Sequence, residues 1–380
     1  MNVSAERPVT VFLCGDVMTG RGIDQILSHP GDPRIYESYV SDARTYVRLA
    51  EEVNGRIPRP VEPSYIWGDA LAELERIAPD ARIVNLETSV TQSDEPVLKG
   101  INYRIHPANV GCLVVAGIDV CVLANNHVLD YGYPGLLETL ETLHAAGLKS
   151  AGAGRTLAEA RQPAVVERAA GFRVIVHGLG SETSGIPPDW AAAEDRPGVE
   201  LLSDLSDETA AAIAKRVRQV KQNRDVAIAS VHWGSNWGYE VPEEQIRFAR
   251  RLIDGGVDIV HGHSSHHPRP IEVYRNRIIF YGCGDFINDY EGIRGHEEYR
   301  PDLALMYFAT LHPATGDLVQ LRMTPMQLRK MRLNRAGRRD VRWLADRLGR
   351  ISIGFGSWVE ATEDDILFLR WRGRSNSSHE

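Results

Sequence analysis

Five times along this chain a short apolar, β-branched run stops abruptly at a polar residue. Residues 9–13 run into Gly15-Asp16, 81–84 into Asn85-Leu86-Glu87, and 119–123 into Asn125-Asn126-His127. Residues 226–231 run into His232-Trp233-Gly234, and 258–260 into His261-Gly262-His263. Apolar runs of this length predict strands buried on both faces. Between several of them the apolar spacing turns helical. Leu71, Leu74 and Ile77 form one stripe of 67–78, and a helix over 136–146 stops at Gly147, a residue suited to the left-handed position past a helix end. Over 243–254, Pro242 suits the first helical position, and Ile246, Ala249, Leu252 and Ile253 make one apolar face before Gly255-Gly256. Strands alternating with helices, with the polar chemistry at strand ends, predict an α/β fold that binds its ligand beyond the carboxyl edge of a sheet.

Farther along, 277–281, 303–311 and 318–324 predict strands with no clear helix between them, a pattern that suits antiparallel pairing. Residues 326–350 are basic and helical in period, with Leu328, Met331, Val341, Leu344 and Leu348 as the stripe. The domain reading is an N-terminal arm over 1–8, a main domain over 9–325, a C-terminal helical cap over 326–371, and a Ser/Asn/Gly-rich tail over 372–380.

Charge narrows the function. The 380 residues carry 43 Lys+Arg against 51 Asp+Glu, a net −8, which argues against a protein that neutralises phosphates along a nucleic acid. The same balance offers no attraction to an anionic membrane surface, and no apolar stretch reaches the ~18 residues that span a bilayer. A small anionic substrate remains compatible, because a pocket's local field can oppose the global one. The four cysteines (Cys14, Cys112, Cys121, Cys283) form no C-x-x-C pair and sit in apolar surroundings, so they read as reduced core thiols of a cytoplasmic protein. Cys283 lacks an identifiable basic partner and reads as an inert thiol rather than a nucleophile.

Histidine is the most informative residue. Four of the 13 (His261, His263, His266, His267) fall within seven positions, with His232 ending the preceding strand. One histidine alone is usually solvated or satisfied in a core; four crowded beside glycine at a strand end point to a shared cation, since neutral imidazole suits Zn, Mn, Fe and Ni. Two cations close together need bridging negative charge, and Asp16 and Glu87 are the carboxylates at other strand ends. Against that, Asp16 could cap a helix and Glu87 could make a surface salt bridge. Asn126 and His127 end a third strand and add an amide oxygen and an imidazole.

These residues resemble a family. Gly15-Asp16-Val17-Met18-Thr19-Gly20-Arg21, Asn85-Leu86-Glu87, Ala124-Asn125-Asn126-His127 with Asp130-Tyr131-Gly132, His232-Trp233-Gly234 and Gly262-His263-Ser264-Ser265-His266 follow one another here. In this order they resemble the CapA family of poly-γ-glutamate capsule biosynthesis proteins, whose fold belongs with the calcineurin-like metallophosphoesterases, and the likeness spans roughly 9–325. The resemblance implies a β-sandwich flanked by helices with a metal site at its edge, holding one or two divalent ions (Mn, Fe, Zn or Ni). Asp16 would bind the first metal and Glu87 would bridge; Asn126, His232 and His263 would bind the second, and His266 would return to the first. His127 would contact the substrate or leaving group, with Asp130 as its orienting partner. The chain departs from the superfamily pattern in three places. Met18 stands where Asp-x-His has its histidine, the bridging carboxylate is Glu rather than Asp, and the last motif reads Gly-His-x-x-His. The first metal position is thereby one ligand short, with Asp285 or Asp289 as candidate replacements or as turn residues.

Arg21 would face an anionic group on the substrate, or stand as a surface arginine. Trp233 and Trp237 flank His232 and would wall the pocket, or belong to the core. The expected function is a soluble metal-dependent hydrolase, metal-activated water attacking a phosphoester or γ-glutamyl-type amide. The competing expectation is a non-hydrolytic component of poly-γ-glutamate synthesis that binds an acidic polymer.

Overall fold

The structure, a computed structural model, describes residues 7–168 and 171–373, so the expected arm and tail lie largely outside the described residues. Two sheets carry the fold. The first opens with β1 (Val9–Val17), β2 (Ala81–Leu86), β3 (Val120–Val122) and β4 (Lys149–Ala151). The second takes β5 (Ala164–Arg168), β6 (Phe172–Gly180), β7 (Val226–His232), β8 (Ile259–His263), β9 (Ile271–Tyr274) and β10 (Arg277–Phe280). The chain then returns to the first sheet through β11 (Asp285–Ile287), β12 (Leu303–Leu311), β13 (Leu318–Leu328), β14 (Leu333–Arg335), β15 (Ser357–Ala361) and β16 (Leu367–Trp371). The first sheet is ordered β15-β16-β13-β12-β1-β2-β3-β4, with β11 beside β1 and β14 beside β13; the second is ordered β9-β10-β8-β7-β6-β5.

Side-chain alternation turns these sheets into layers. In β1, Val9, Val11 and Leu13 join one apolar cluster while Phe12 and Cys14 join another; in β7, Val226 and Ile228 join the first of these while Ala227, Ala229 and Val231 turn the opposite way. The shared cluster is the core between the two sheets. The outer face of the first sheet is covered by α1 (Arg44–Asn54), α2 (Asp69–Ile77) and α3 (Gly132–Ala145), whose Val47, Leu74 and Leu136 belong to its cluster. The outer face of the second is covered by α4 (Asp207–Val220) and α5 (Glu243–Asp254) through Ile213, Val217, Phe248 and Leu252. The result is the expected α/β architecture, a β-sandwich flanked by helices. Because both faces are covered, β1–β4 and β6–β7–β8–β10 can run parallel as near-continuous apolar strands. Gly147 takes φ 76 after α3, and the Leu148 amide donates to the Leu143 carbonyl, the helix ending its sequence position suggested.

The C-terminal segment differs from a uniform helical cap. Helix α6 (Arg338–Ser352) begins only after two further strand segments, and β15 and β16 follow it to extend the first sheet. Leu328 and Met331, three residues apart, mimic a helical stripe; Lys330 and Met331 in fact sit at φ 60 and 52, the left-handed pair of a tight turn joining β13 to β14. Val341, Leu344 and Leu348 of α6 close one end of the inter-sheet core together with Leu367 and Leu369. Among the described residues, no helix is long and apolar enough to cross a membrane.

Where β1 meets β11 the backbones nearly touch. The Asp16 amide donates to the Gly284 carbonyl at 3.0 Å, and a Cβ placed on Gly15 would lie 1.5 Å from that same oxygen. Gly15→Ala must therefore push β1 off β11, and we expect it to cost about 3 kcal/mol, the upper part of the range for overpacking. Urea unfolding checks this, with Gly354→Ala as the control: nothing lies within 4 Å of its added Cβ, so its midpoint should hardly move.

Candidate metal centre

The parallel strands of both sheets deliver their carboxyl ends to one place. Asp16 pairs in register with Asn85 of β2 on one side and with Asp285 of β11 on the other. Across the sandwich, His232 at the end of β7 is the direct neighbour of His263 at the end of β8. Ligand atoms of Asp16, His232 and His263, all buried, lie within 4.8 Å of one another. Glu87 follows β2, its Oε1 3.7 Å from His232 Nε2 and 3.8 Å from His127 Nε2. Asn126 follows β3 and places its Oδ1 3.2 Å from His232 Nε2. His266 stands 2.9 Å from Asp285, the aspartate registered beside Asp16.

A surrounding layer aims these side chains. Asn85 donates to Asp16 Oδ1 at 2.7 Å and the Ser264 amide donates to Oδ2 at 3.1 Å. The Ser230 hydroxyl lies 2.9 Å from both His263 Nε2 and His261 Nδ1, and His261 Nε2 reaches the Cys14 carbonyl at 2.7 Å. His263 thus has its Nε2 engaged, and its Nδ1 lies 2.8 Å from His232 Nδ1 and 3.9 Å from Asp16. The four clustered histidines divide accordingly. His263 and His266 stand at the centre, His261 supports from beneath, and His267 turns away to the Pro268 carbonyl and the rings of Tyr239 and Tyr299.

The electrostatics suit a divalent cation. Burial, reinforced by the Asp285 carboxylate, raises Asp16 to about 7, and burial beside Asp16 and Asp285 pushes Glu87 well above its usual range. Burial drives His232 and His263 well below the ordinary imidazole value. For His266 burial acts downward, but the Asp285 carboxylate outweighs it and the net shift is upward. Glu87 Oε2 is buried with no N–H or O–H donor among the described residues, and the Glu87 carboxyl stands close enough to that of Asp16 to share a proton with it. An orphaned carboxylate oxygen among neutral imidazoles and a second carboxylate is a donor set suited to a divalent transition metal.

His127 stands beside this cluster. Asp130 lies 2.6 Å from its Nδ1, and the same carboxylate accepts from the Tyr103 amide at 2.6 Å and pairs with Lys99 at 2.7 Å. The Tyr103 ring packs on the imidazole with centroids 4.2 Å apart. Burial lowers His127 to about 4, although Asp130 acts in the opposite direction.

The remaining predicted residues fall elsewhere. Arg21 is buried. Its guanidinium bonds both oxygens of Asp289 and one of Glu37, and lies over the ring of Tyr46. Asp285 and Asp289, left open between ligand and turn roles, therefore separate: Asp285 joins His266, and Asp289 holds Arg21. Trp233 is a core residue packed on Phe248 and Tyr281, its indole N–H donating to the Tyr281 carbonyl. Trp237, by contrast, lines a cavity of about 530 Å³ that adjoins the centre at His266 and Tyr103. Met18 has its sulfur capped by the Tyr290 hydroxyl at 3.4 Å. Sequence reasoning did not single out Lys99, which lies in irregular chain and also bonds the Asn126 carbonyl. It also passed over Tyr103 and Ser230, whose roles exist only once distant strands meet.

The bacterial capsule synthesis protein PGA_cap family model matches residues 10–290. A "probable polyglutamine synthesis accessory protein" of Mycobacterium tuberculosis is 51% identical over 361 residues, covering 94% of this chain and 95% of that protein. The PGA biosynthesis protein CapA of Bacillus subtilis is 27% identical over 314 residues, covering 83% of this chain and 70% of its own. Among solved structures, a 5'-nucleotidase precursor from Thermus thermophilus aligns over 84% of this chain and 54% of its own, with a TM-score of 0.43 and 14% identity. The chain belongs to the bacterial capsule synthesis protein PGA_cap family.

Proposed function

We propose that this chain is a metal-dependent hydrolase of the capsule synthesis family, cleaving a phosphoester or a γ-glutamyl-type amide in a small anionic substrate. The observation that carries the reading is Glu87, a buried carboxylate with one oxygen unpartnered among the described residues and the other facing His127 and His232. In the proposal Asp16, Glu87, Asn126, His232, His263 and His266 hold one or two divalent ions, Mn, Fe, Zn or Ni. When bound, such ions supply Lewis acidity toward a phosphoryl or carbonyl oxygen and lower the pKa of water toward neutrality.

The chain's own groups do the rest. Asp130, fixed by Lys99 and the Tyr103 amide, accepts from His127 Nδ1–H and sets the tautomer that leaves Nε2 facing the centre. At Nε2 the neutral imidazole can take a proton from the attacking water and then pass that proton to the leaving group. Its Nε2 lies 3.8 Å from Glu87, close enough to share the site without being in the metal-binding set. A second reading, a non-hydrolytic component of poly-γ-glutamate synthesis that binds an acidic polymer, draws on the relatives' names, which speak of synthesis and biosynthesis.

Metal content is the first expectation. Purified or reconstituted protein should hold one to two equivalents of transition metal by elemental analysis, and His263→Ala should lose more than His267→Ala. Absence of Mn, Fe, Ni and Zn after reconstitution sinks the reading, and equal losses in the two variants contradict the division of the clustered histidines.

The second expectation separates the two readings. His127→Ala should keep its metal and its fold yet lose on the order of 10²–10⁴ in turnover on a responsive phosphoester or γ-glutamyl amide. KM should change far less, because the imidazole acts in the transition state rather than in ground-state binding. In the polymer-binding reading there is no turnover to lose, and the same change weakens an acidic polymer by at most about 3 kcal/mol. Loss of metal from the variant makes His127 a ligand and ends its assignment as acid or base.

A further inference from the structure

The cavity beside the metal centre has two unlike ends. Its inner end is formed by buried or half-buried polar residues already tied to the centre: His266, Asn288 (which donates to Asp285) and Tyr103 (packed on His127). The Tyr103 and Tyr290 hydroxyls meet there at 2.8 Å. Its outer end is open and carries a cluster of apolar side chains beside Arg294, Glu297 and Arg329. Tyr39, Val53, Ile101 and Ile293 all line the cavity, yet they remain 69%, 63%, 38% and 43% exposed. They are four of the ten exposed large hydrophobic residues among the described residues, gathered around one opening. Scattered apolar residues on a surface are ordinary; a cluster of them around a concave mouth marks a place where apolar matter is bound.

Charge in the lining is mixed rather than a continuous basic track. Of its four arginines, Arg21 is committed to Asp289 and Glu37 and Arg300 to Asp302 and Asp340, while Arg294 and Arg329 stand exposed at the rim. Glu291, Glu297 and Asp302 place carboxylates in the same walls. A chain bearing a carboxylate on every unit meets carboxylates as well as arginines in such walls, whereas one anionic group at the centre with an apolar body behind it meets the exposed apolar side chains along its length. About 530 Å³ suits a drug-sized ligand.

We infer that the substrate is an amphiphile, a single phosphate-type anion at the metal centre attached to an apolar or aromatic body that lies along the cavity toward Tyr39, Val53, Ile101 and Ile293. The inference rests on the hydrolase reading in its phosphoester form, but its test needs no turnover. Metal-loaded full-length protein is titrated calorimetrically with decylphosphonate, 1-naphthylmethylphosphonate, methylphosphonate and tetra-γ-glutamate. Decyl or naphthylmethyl phosphonate should bind at least about 30-fold more tightly than methylphosphonate, since several carbon groups leave water. A gain with the decyl arm alone identifies a lipid-like body, and a gain with the naphthyl arm alone identifies an aromatic one. Val53→Glu and Ile293→Glu alter exposed positions outside the centre. They should remove about tenfold or more of that gain and leave methylphosphonate affinity unchanged. The proposal is overturned if neither tail improves binding, if the gain survives both substitutions, or if tetra-γ-glutamate binds more tightly than the tailed phosphonates. Tailed binding by a protein that hydrolyses nothing instead overturns the hydrolase reading and leaves the amphiphile site standing.

Discussion

Burying Asp16 and Glu87 beside Asp285, against neutral imidazoles, is the constraint on which the rest of this molecule depends. Taking a carboxylate out of water costs several kcal/mol even after relaxation, and here a second and third carboxylate stand close by. The upward shifts of Asp16 and Glu87 and the downward shifts of His232 and His263 are two signs of one condition: burial has removed the water that would stabilise charge on each group. A divalent cation would reverse the two carboxylate shifts and suit the two neutral imidazoles, since metal binding opposes protonation of both kinds of ligand. It gives both carboxylates a counter-charge and occupies imidazole lone pairs. The cluster is an expensive arrangement for a protein without metal and a favourable one for a protein with it.

The fold makes that arrangement rigid. Asp16, Glu87, Asn126, His232 and His263 each stand at or just past the carboxyl end of a parallel strand, and strand register largely sets their spacing. His232 lies beside His263 because β7 and β8 pair there; Asp16 lies between Asn85 and Asp285 because β2 and β11 flank β1. The close approach at Gly15 lets β11 reach this position, bringing Asp285 and, through it, His266. Hydrogen bonds from Asn85, Ser230 and the Ser264 amide then fix the directions of the side chains, the usual second layer of a metal site. Because Asp16, His232 and His263 belong to strands buried in a two-sheet core, displacing any of the three means disturbing a ladder.

This origin explains what could be read from sequence. Strand-end residues are legible because an apolar run that stops at Asp, Asn or His marks both a strand and its functional end, and in this way Asp16, Glu87, Asn126, His232 and His263 come together. Period failed where spacing was ambiguous. Leu328 and Met331 fit a helix as well as a turn between strands, so the strands around α6 were hidden. Trp233 and Trp237 are equally close to His232 in sequence, and only the backbone course after β7 sends the first into the core and the second to the cavity wall. Lys99 carried no signal, since its contacts with Asp130 and the Asn126 carbonyl arise from chain packing far outside any local period.

Arg21 shows how an arginine next to a candidate metal centre can be read in two ways. Its sequence position, five residues past Asp16, suits a contact with a substrate anion. In the fold its guanidinium is bonded on two sides, to Asp289 beyond β11 and to Glu37 ahead of α1, and it lies over the rings of Tyr46, Tyr103 and Tyr290. Removing it would leave two buried carboxylates without their cation, a loss larger than that of one surface contact. Arg21 therefore links the loop after β1, the loop after β11 and the segment before α1, the three pieces that bring Tyr103 and Tyr290 to the inner end of the cavity. With that guanidinium committed, recognition of the proposed anionic substrate would fall to the centre itself and to the shape and polarity of the cavity behind it.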